Sequence, residues 1–443
     1  MLTSNNPRRV LLLALLVFGC GDAEPAEIQA KPSAPTLQND PAVTPPTAAT
    51  AQAEDDEDPA GRWRKAPKRE VSSEEMEQLR AIGYLDGYEA APDVTGITRY
   101  DKSQVFDGYN LYVSGHGPEA TLIDMAGRVM HTWTFDFSTA FPEITEFHKD
   151  NGHQYWRRAY LYENGDLLAI HEGQGIVKLD KDSNLKWAAA NGAHHHMDVM
   201  DDGRIYVLTR VLEKNHEGFN KPIWHDAVTI MGPDGSEEKR VSILRSMQNS
   251  DLEIVTSSID TKGDLFHTNS IQVLDGQAAG LDPAFAKGNI LISSRTTGLI
   301  MVLDPNTEKV IWAKSGSWKK QHDAFIIGPE SMMLFDNNTR EQKSSAVIVI
   351  NPVTGAEQWA YRGKAGEKFF TQSCGANQRL DNGNTMIVES NFGRAFEVNA
   401  AGEIVWEFIN PRRAGEDDIL IATLFDVDRF PASFNVSWAA SSP

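Results

Sequence analysis

A repeating unit of about 50 residues constrains the fold of this chain more than any other feature. From about residue 105 onward, short alternating strands are separated by turn signals, with almost no helical periodicity. Most units end in a turn followed by a strand that closes on tryptophan, at Trp133, Trp187, Trp312, Trp359 and Trp406. One further unit, around Gly232–Gly235, lacks the tryptophan. Six copies with signals for four strands each predict an all-β, six-bladed β-propeller.

The two ends of the repeat region predict how the ring closes. The first copy, from Tyr109 to Trp133, contains three strands and no preceding inner strand. The carboxyl end, residues 424–431, resembles the inner strand at 374–380, with Arg429 matching Arg379. We therefore expect the C-terminal strand to complete the first blade, which hides strand edges that would otherwise pair with other chains.

The amino terminus reads as an export signal. Arg8 and Arg9 precede a short apolar run, Val10 to Phe18, which is too short for a stable membrane span. The run ends in Val-Phe-Gly-Cys, which resembles the bacterial lipobox and predicts that Cys20 is lipidated. The alternative is an ordinary signal peptide with an incidental cysteine. We expect an exported lipoprotein, periplasmic or at the cell surface, held on a bacterial membrane by its N-terminal lipid.

These features divide the chain into five expected segments. Residues 1–20 form the signal, and residues 21–70, rich in Ala, Pro and acidic residues, form a disordered tether. Residues 71–104 hold a short capped helix and a lead-in, residues 105–431 the propeller, and residues 432–443 a C-terminal tail.

Charge and cysteine content exclude some partners and bonds. The net charge of −20 argues against nucleic acid, whose phosphates would be repelled. The chain has two cysteines, so a lipidated Cys20 leaves Cys374 without an intramolecular disulfide partner.

Histidines recur at the start of the first strand in successive copies. His194 and His267 each stand nine residues before a turn glycine, and Cys374 has the same offset in a later copy. His322 precedes the strand-like run that begins at Phe325. A lone histidine in a strand is more often structural, but three at equivalent positions predict a site at one mouth of the channel.

Propeller geometry adds neighbours to these histidines. The start of a first strand and the end of a second strand lie at the same end of the channel, so Arg295 should join His267. Because side chains at i and i+2 share a strand face, His196 should accompany His194, and Asn269 should accompany His267. His195 would then face away, unless the register is shifted by one residue.

Imidazoles with one guanidinium and few inward acids favour an oxyanion ligand. A histidine can also act as a nucleophile and divide one group transfer into two steps. Three histidines are a common zinc ligand set, which makes a metal site the rival interpretation. An arginine beside a divalent cation is unfavourable, and we therefore expect neither a metal nor a cofactor.

At these residues the sequence resembles the bacterial arylsulfate sulfotransferases, the type that does not use a nucleotide sulfate donor. The resemblance covers roughly residues 105–431. Its most specific pieces are Gln321-His322-Asp323, His267 to Ser270 with Ser294-Arg295, and Asn377 to Thr385. It implies a six-bladed propeller in an exported setting that moves a sulfuryl group from a phenolic sulfate ester to a phenol.

The resemblance also implies roles for individual residues. His322 matches the histidine that becomes sulfated, and His267 and Arg295 match residues that bind the sulfuryl group and the bridging phenolic oxygen. His194, first in the run His194–His196, matches a further active-site histidine, and Asn269 stands where the family has an asparagine. The characterised type has a disulfide near the site, which this chain cannot form, and residues 277–287 lengthen the interval between His267 and Arg295.

The sequence thus predicts a lipid-anchored propeller that acts as an aryl sulfotransferase on an aryl sulfate donor and a phenolic acceptor. The expected catalytic residues are His322, His267, Arg295 and His194, with Asn269 and His196 as substrate contacts. Two rivals remain open: a binding propeller that holds an anion without catalysis, and a metal-dependent hydrolase.

Overall fold

The computed structural model describes residues 89–144, 152–213, 222–253, 264–338, 344–364, 366–414 and 419–439. The predicted signal, lipidation site, tether and helix all lie outside these residues. Six four-stranded antiparallel blades follow one another in a ring, which confirms the predicted six-bladed β-propeller.

The strands of each blade run from the channel outward in the following order. Blade 1 holds Leu424–Pro431, Gly108–Ser114, Glu119–Asp124 and Val129–Thr134; blade 2 holds Trp156–Leu161, Leu167–His171, Gly175–Leu179 and Leu185–Ala189; blade 3 holds Ala193–Val199, Ile205–Glu213, Ile223–Met231 and Glu237–Ser242. Blade 4 holds Thr268–Val273, Ile290–Ser294, Leu299–Asp304 and Lys309–Lys314; blade 5 holds His322–Gly328, Ser331–Asp336, Ala346–Ile350 and Glu357–Tyr361; blade 6 holds Ala376–Arg379, Thr385–Glu389, Arg394–Val398 and Ile404–Ile409.

Closure of the ring follows the predicted scheme. Leu424–Pro431 pairs antiparallel with Gly108–Ser114 and so supplies the inner strand of blade 1. Blade 6 departs from the expected four strands, because Gly96–Tyr100 pairs with Ile404–Ile409 as a fifth, outermost strand. This added strand covers the outer edge of blade 6.

Other elements are short. The α-helices of the described ranges are Phe137–Ala140 and Ile243–Gln248, and the 3-10 helices are Gly152–Gln154, Pro283–Phe285 and Ser390–Phe392. Arg413–Ala414 and Leu420–Ile421 form a small two-stranded pair. A membrane-spanning helix needs about 20 residues, and no helix within the described ranges is long and apolar enough to cross a bilayer.

The hydrophobic core is divided among the junctions between blades. Six apolar clusters of described residues each join two neighbouring blades. A strand inside a blade therefore buries one face against the preceding blade and the other against the following blade. Its sequence is nearly all apolar, as in Ala346–Ile350.

The recurring tryptophans link one blade to the next. Trp133, Trp187, Trp359 and Trp406 each donate the indole N–H to a backbone carbonyl of the following blade at 3.1 Å. In the unit without a tryptophan, blade 3, Lys239 donates to the carbonyl of Pro305 in blade 4 at 2.7 Å instead. The tryptophan spacing in the sequence therefore marks a repeated hydrogen bond between blades.

Candidate active site

β-Bulges place the candidate side chains at the start of the inner strands. In blades 1 to 5 the first strand slips in register near its start, which leaves extra residues opposite the second strand. The extra residues are Phe425, Arg157, His194 to His196, Asn269, and Asp323 with Ala324. Bulges re-aim side chains and are common next to active sites. Four of the six predicted site residues, His194, His196, Asn269 and His322, therefore lie in or directly before such a bulge.

Left-handed backbone conformations define which positions are equivalent. His195, His267, Asp323 and Cys374 have φ values of 53°, 47°, 43° and 60° at the starts of four successive blades. This conformation is uncommon for residues other than glycine and costs energy. His195, rather than His194, is thus the structural counterpart of His267. Counting back from the turn glycine misplaced the match by one residue, because the bulges differ in length.

His322 is buried and its ring is held by an amide. Its Nδ1 lies 2.8 Å from Oδ1 of Asn337, and Nδ2 of Asn337 donates to the carbonyls of Thr371 and Cys374 at 3.0 and 2.8 Å. Those two bonds fix the amide orientation, so Oδ1 accepts and Nδ1 of His322 carries the proton. The lone pair is then on Nε2. Asn337, which the sequence analysis did not single out, is thus the partner of this ring.

Electrostatics favour the neutral form of His322. Burial lowers its pKa well below the ordinary value of 6.5, and the charge of Arg295 lowers it further, while the hydrogen bond with Asn337 opposes the shift. Burial is the larger of the two causes. A neutral imidazole with a free Nε2 lone pair is the nucleophilic form of histidine.

His267 has a carboxylate partner. Its Nδ1 lies 2.7 Å from Oδ2 of Asp264, and its backbone N–H donates to Oδ1 of the same residue at 3.0 Å. Burial alone would raise the pKa of Asp264, but the hydrogen bond and charge of His267 and the charge of Arg210 outweigh it and hold that pKa below its usual range. An ionised carboxylate stabilises the imidazolium form of its partner, as in hydrolase triads. With Nδ1 held by Asp264, Nε2 is the nitrogen of His267 that is left to contact a ligand.

In the run His194–His196, His195 faces His267, although strand alternation predicts that it faces away. The His195 ring is edge-on to the His267 ring, with centroids 4.8 Å apart. Its Nδ1 lies 3.0 Å from Oε1 of Glu172 and 3.0 Å from Nδ1 of His194. The expectation that His195 faces away is wrong, because the bulge breaks the alternation of the strand.

His194 and His196 lie deeper. Nδ1 of His194 is 3.3 Å from Nη2 of Arg210, a donor, so this nitrogen accepts and Nε2 carries the proton, 3.7 Å from Oδ1 of Asp226. The His196 ring packs 5.4 Å from the ring of Phe325, and neither of its nitrogens has a hydrogen-bond partner among the described residues. The pKa values of all three histidines of the run are lowered, and burial is the largest cause in each case.

Two guanidinium groups face this region without a carboxylate. Arg295 follows the second strand of blade 4, and its backbone N–H donates to the carbonyl of His267 at 3.2 Å. Arg157 is 6% exposed, and its Cζ lies 5.0 Å from the centroid of the Phe425 ring. Within the described ranges, neither side chain has an ion pair or a hydrogen bond. Arg295 is half-buried, whereas Arg157 is buried. A buried cation without an ion pair is costly, so the position of Arg157 suits an anionic ligand.

Asn269 has a structural bond and a spare oxygen. Its Nδ2 donates to the carbonyl of Gln321, directly before His322, at 2.7 Å, while Oδ1 is buried without a partner among the described residues. It therefore positions the strand that carries His322. Direct contact of Asn269 or His196 with a substrate stays a prediction.

One group of side chains has the composition of a metal site. Ligand atoms of Glu172, His194 and His195 lie within 4.8 Å of one another. The same atoms are already hydrogen-bonded to each other, and the His194 nitrogen also accepts from Arg210. A guanidinium at that distance would repel a divalent cation, so this donor set fits a metal poorly.

Sequence reasoning found His322, His267 and Arg295 but missed Arg157, Asp264, Glu172 and Asn337. Only Asp264 had a local signal, since it precedes His267 by three residues and accepts its backbone N–H as an Asx turn does. Of the other three, Arg157 and Glu172 come from blade 2 and Asn337 from the end of the second strand of blade 5. Their places in the site depend on the pairing of strands and on the ring, which spacing along one chain does not reveal.

Comparison with known proteins agrees with this arrangement. The model of the family described as Arylsulfotransferase (ASST) matches residues 158–411, more than half of the chain. No curated protein matches the chain significantly in sequence.

Solved structures with similar backbones are distant in sequence. A protein of unknown function from Bacteroides caccae is 12% identical, with 72% of this chain and 98% of that chain covered and a TM-score of 0.47. A streptogramin B lyase is 11% identical (78% and 94% covered, TM-score 0.40), and BamB from Moraxella catarrhalis is 11% identical (77% and 96% covered, TM-score 0.35). These likenesses are too weak to carry an argument about function. On the match to its family model, the chain belongs to the arylsulfotransferase family.

Proposed function

We propose that the protein transfers a sulfuryl group from an aryl sulfate ester to a phenol through a sulfated His322. The observation that carries the proposal is the setting of His322, which is buried and hydrogen-bonded through Nδ1 to Asn337, with a pKa that burial lowers well below its usual range. Membership of the arylsulfotransferase family supports the general activity. The two-step route through His322 is our own inference.

In the first half-reaction, Nε2 of His322 attacks the sulfur of the donor. The S–N bond forms while the bond from sulfur to the phenolic oxygen breaks, and the electron pair leaves with that oxygen. His267, whose imidazolium is stabilised by Asp264, gives the leaving oxygen its proton. Arg295 faces the charge on the sulfuryl oxygens.

The second half-reaction reverses the first with another phenol. The acceptor gives its proton to His267, and its oxygen attacks the sulfur as the S–N bond breaks. Proton and sulfuryl group are each taken up once and released once, so the enzyme returns to its starting state. Removing one donor aimed at developing charge typically costs about 2.7–4 kcal/mol of transition-state stabilisation. His267→Ala and Arg295→Ala should therefore each lower transfer by roughly two to three orders of magnitude.

The test is incubation with a chromogenic aryl sulfate, with and without a phenol acceptor and with and without a chelator. We expect sustained release of the chromogenic phenol only when acceptor is present, unchanged by chelator and abolished in His322→Ala. His225→Gln, on the third strand of blade 3, is the matched control and should keep full activity. No release by the wild-type protein would favour the anion-binding propeller, and release that needs no acceptor but stops with chelator would favour the metal-dependent hydrolase.

We further propose that the protein is exported and anchored through a lipid on Cys20. The proposal rests on the basic and apolar N-terminal run that ends at this cysteine. Several acyl chains hold a protein firmly on a membrane, whereas one holds it only marginally. Cys20→Ser should move the protein from the membrane fraction to a soluble exported fraction. A variant that still partitions wholly with membranes would refute the anchor.

A further inference from the structure

The blade that faces His322 across the channel contributes an arginine that the proposed mechanism leaves unused. In a ring of six, blade 2 stands opposite blade 5. The ion pair between Nη1 of Arg158 and Oδ2 of Asp323, 3.4 Å long, spans the channel between these two blades. Arg157 precedes Arg158, and His322 precedes Asp323. Arg157 and His322 are thus neighbours of two residues that already meet across the axis.

Arg157 differs from Arg158 in making no ion pair among the described residues, although its charge also acts on the carboxyl groups of Asp323 and Asp426. Arg158 is neutralised by Asp323 and by Asp426, whose Oδ2 lies 3.0 Å from its Nε. Arg157 is the bulged residue of its strand, and among the described residues its only close polar or aromatic contact is the ring of Phe425. Its charge acts on His195 and His322, both of whose pKa values it helps to lower. Because Arg157 is buried and makes no ion pair of its own, an anion bound beside it would offset the burial of its charge.

We propose that Arg157 binds the phenolic oxygen that leaves in the first half-reaction and attacks in the second. This rests on the proposed function, in which His322 attacks sulfur. In an in-line displacement the entering and leaving atoms lie on opposite sides of sulfur. Nε2 of His322 approaches from blade 5, so the leaving oxygen lies toward blade 2.

In this step Arg157 stabilises the negative charge that develops on the phenolic oxygen. As the sulfur–oxygen bond breaks, the electron pair stays on the phenolic oxygen, and negative charge grows there before the proton from His267 arrives. A guanidinium N–H aimed at that oxygen stabilises the growing charge. In the second step the same contact stabilises the acceptor oxygen as it loses its proton. The Phe425 ring beneath the guanidinium keeps it in place on the blade 2 side of the mouth.

The test compares aryl sulfates whose phenols differ in acidity, with the first half-reaction measured as the burst of phenol release before acceptor is added. A weakly acidic phenol is a poor leaving group, because the negative charge on its oxygen needs more stabilisation as the bond to sulfur breaks. Arg157→Met should slow donors with weakly acidic phenols by roughly 100- to 1,000-fold, and donors with strongly acidic phenols by about tenfold or less. Arg295→Met should slow all donors by a similar factor. Arg128→Met, on the surface of blade 1, should change neither rate nor slope.

Equal loss across the whole series in Arg157→Met, or no loss, would overturn the proposal and leave Arg157 as a structural partner of Phe425. Thermal unfolding of the variant separates these cases, because a structural role lowers stability without steepening the dependence on phenol acidity. If Arg157→Met does not fold, Arg157→Lys replaces it and should give an intermediate slope; a wild-type slope would count against the proposal. A wild-type protein that releases no phenol would refute the proposed function and this inference together, whereas an active enzyme with a flat response in the variants refutes this inference alone.

Discussion

At the residue scale, two histidines of the site differ in the group that holds Nδ1. His322 donates to the amide of Asn337, which cannot offset a positive ring, whereas His267 donates to the carboxylate of Asp264, which can. Burial and the charge of Arg295 also lower the pKa of His322, which favours its neutral form. Pairs of groups whose surroundings push their protonation apart commonly divide acid–base from nucleophilic work. The local partners therefore assign nucleophilic attack to His322 and proton transfer to His267.

This difference predicts the pH dependence of the first half-reaction. Because the pKa of His322 lies well below 6.5, the ring stays neutral as the pH falls through the ordinary histidine range. The loss of phenol-burst rate that protonation of His322 causes should therefore begin below the pH range in which an ordinary histidine titrates. A histidine with an ordinary pKa would lose roughly tenfold between about pH 7.5 and pH 5.5. In Arg295→Met the acid limb should move to higher pH, since a cause of the lowered pKa is gone; a wild-type limb centred near 6.5 would contradict the account.

A site residue can be predicted from the sequence when its role follows from its position along the chain. It cannot be predicted when its role depends on contacts that only the folded ring creates. His267 has a repeated offset and Arg295 directly follows a strand, so spacing along the chain identifies them. His322 was found from its place before a strand, although the structural counterpart of His267 in blade 5 is Asp323. Asn337 has no such signal, because its role depends on Thr371 and Cys374, brought near by the next blade. Arg157 has none either, because only the ring brings blade 2 opposite blade 5. Strand alternation failed at His195 because a bulge, which depends on pairing, changed the direction of its side chain.

At the element scale, the fourth strand of each blade carries the link to its neighbour. Trp406 and Trp359 make the same bond to the following blade, and each lies under an arginine of that blade's inner strand, Arg429 at 4.8 Å and Arg379 at 5.4 Å. The predicted match of Arg429 with Arg379 is therefore a repeated stack. The two copies differ in burial, since Trp406 is fully buried and Trp359 is partly exposed.

The burial difference predicts unequal costs for the same substitution. Trp406→Phe leaves the carbonyl of Met125 buried without its donor and weakens the stack with Arg429, which should cost about 2–3 kcal/mol of unfolding free energy. Trp359→Phe, the matched control, leaves the carbonyl of Ala400 open to water and should cost about 1 kcal/mol or less. Denaturant unfolding of both variants measures the difference. Equal costs would show that the indole bond does not hold the blades together.

At the scale of the whole molecule, the C-terminal strand holds the ring closed. Besides its pairing with blade 1, it carries Arg429, whose Nη1 lies 2.8 Å from Oε2 of Glu397 in blade 6, with both side chains fully buried. Nε of Arg429 also donates to Oδ1 of Asn110 at 2.5 Å. The sequence was sufficient to predict this closure because the first copy lacked an inner strand. It did not predict the fifth strand of blade 6, Gly96–Tyr100, whose partner Ile404–Ile409 lies at the far end of the chain.

Truncation tests the closure. Removing residues from Leu424 onward deletes an inner strand and leaves Glu397 buried without its cation, a loss that alone typically costs about 3–5 kcal/mol. We expect this variant to lose cooperative thermal unfolding. Truncation after Pro431 keeps the strand and removes only the tail, in which Trp438 packs 5.4 Å from Trp133, so it should still unfold in one transition at a lower temperature. A cooperative, monomeric protein that lacks the strand would contradict this role.

The most direct test of the mechanism is the intact mass of the protein after a donor aryl sulfate is added without acceptor. The account predicts a gain of one sulfuryl group, located on His322 by peptide mapping, which disappears when a phenol is added. His322→Ala should gain no mass, and His225→Gln should gain the same mass as the wild type. Transfer that proceeds with no adduct, or an adduct on another residue such as His267, would contradict the central claim.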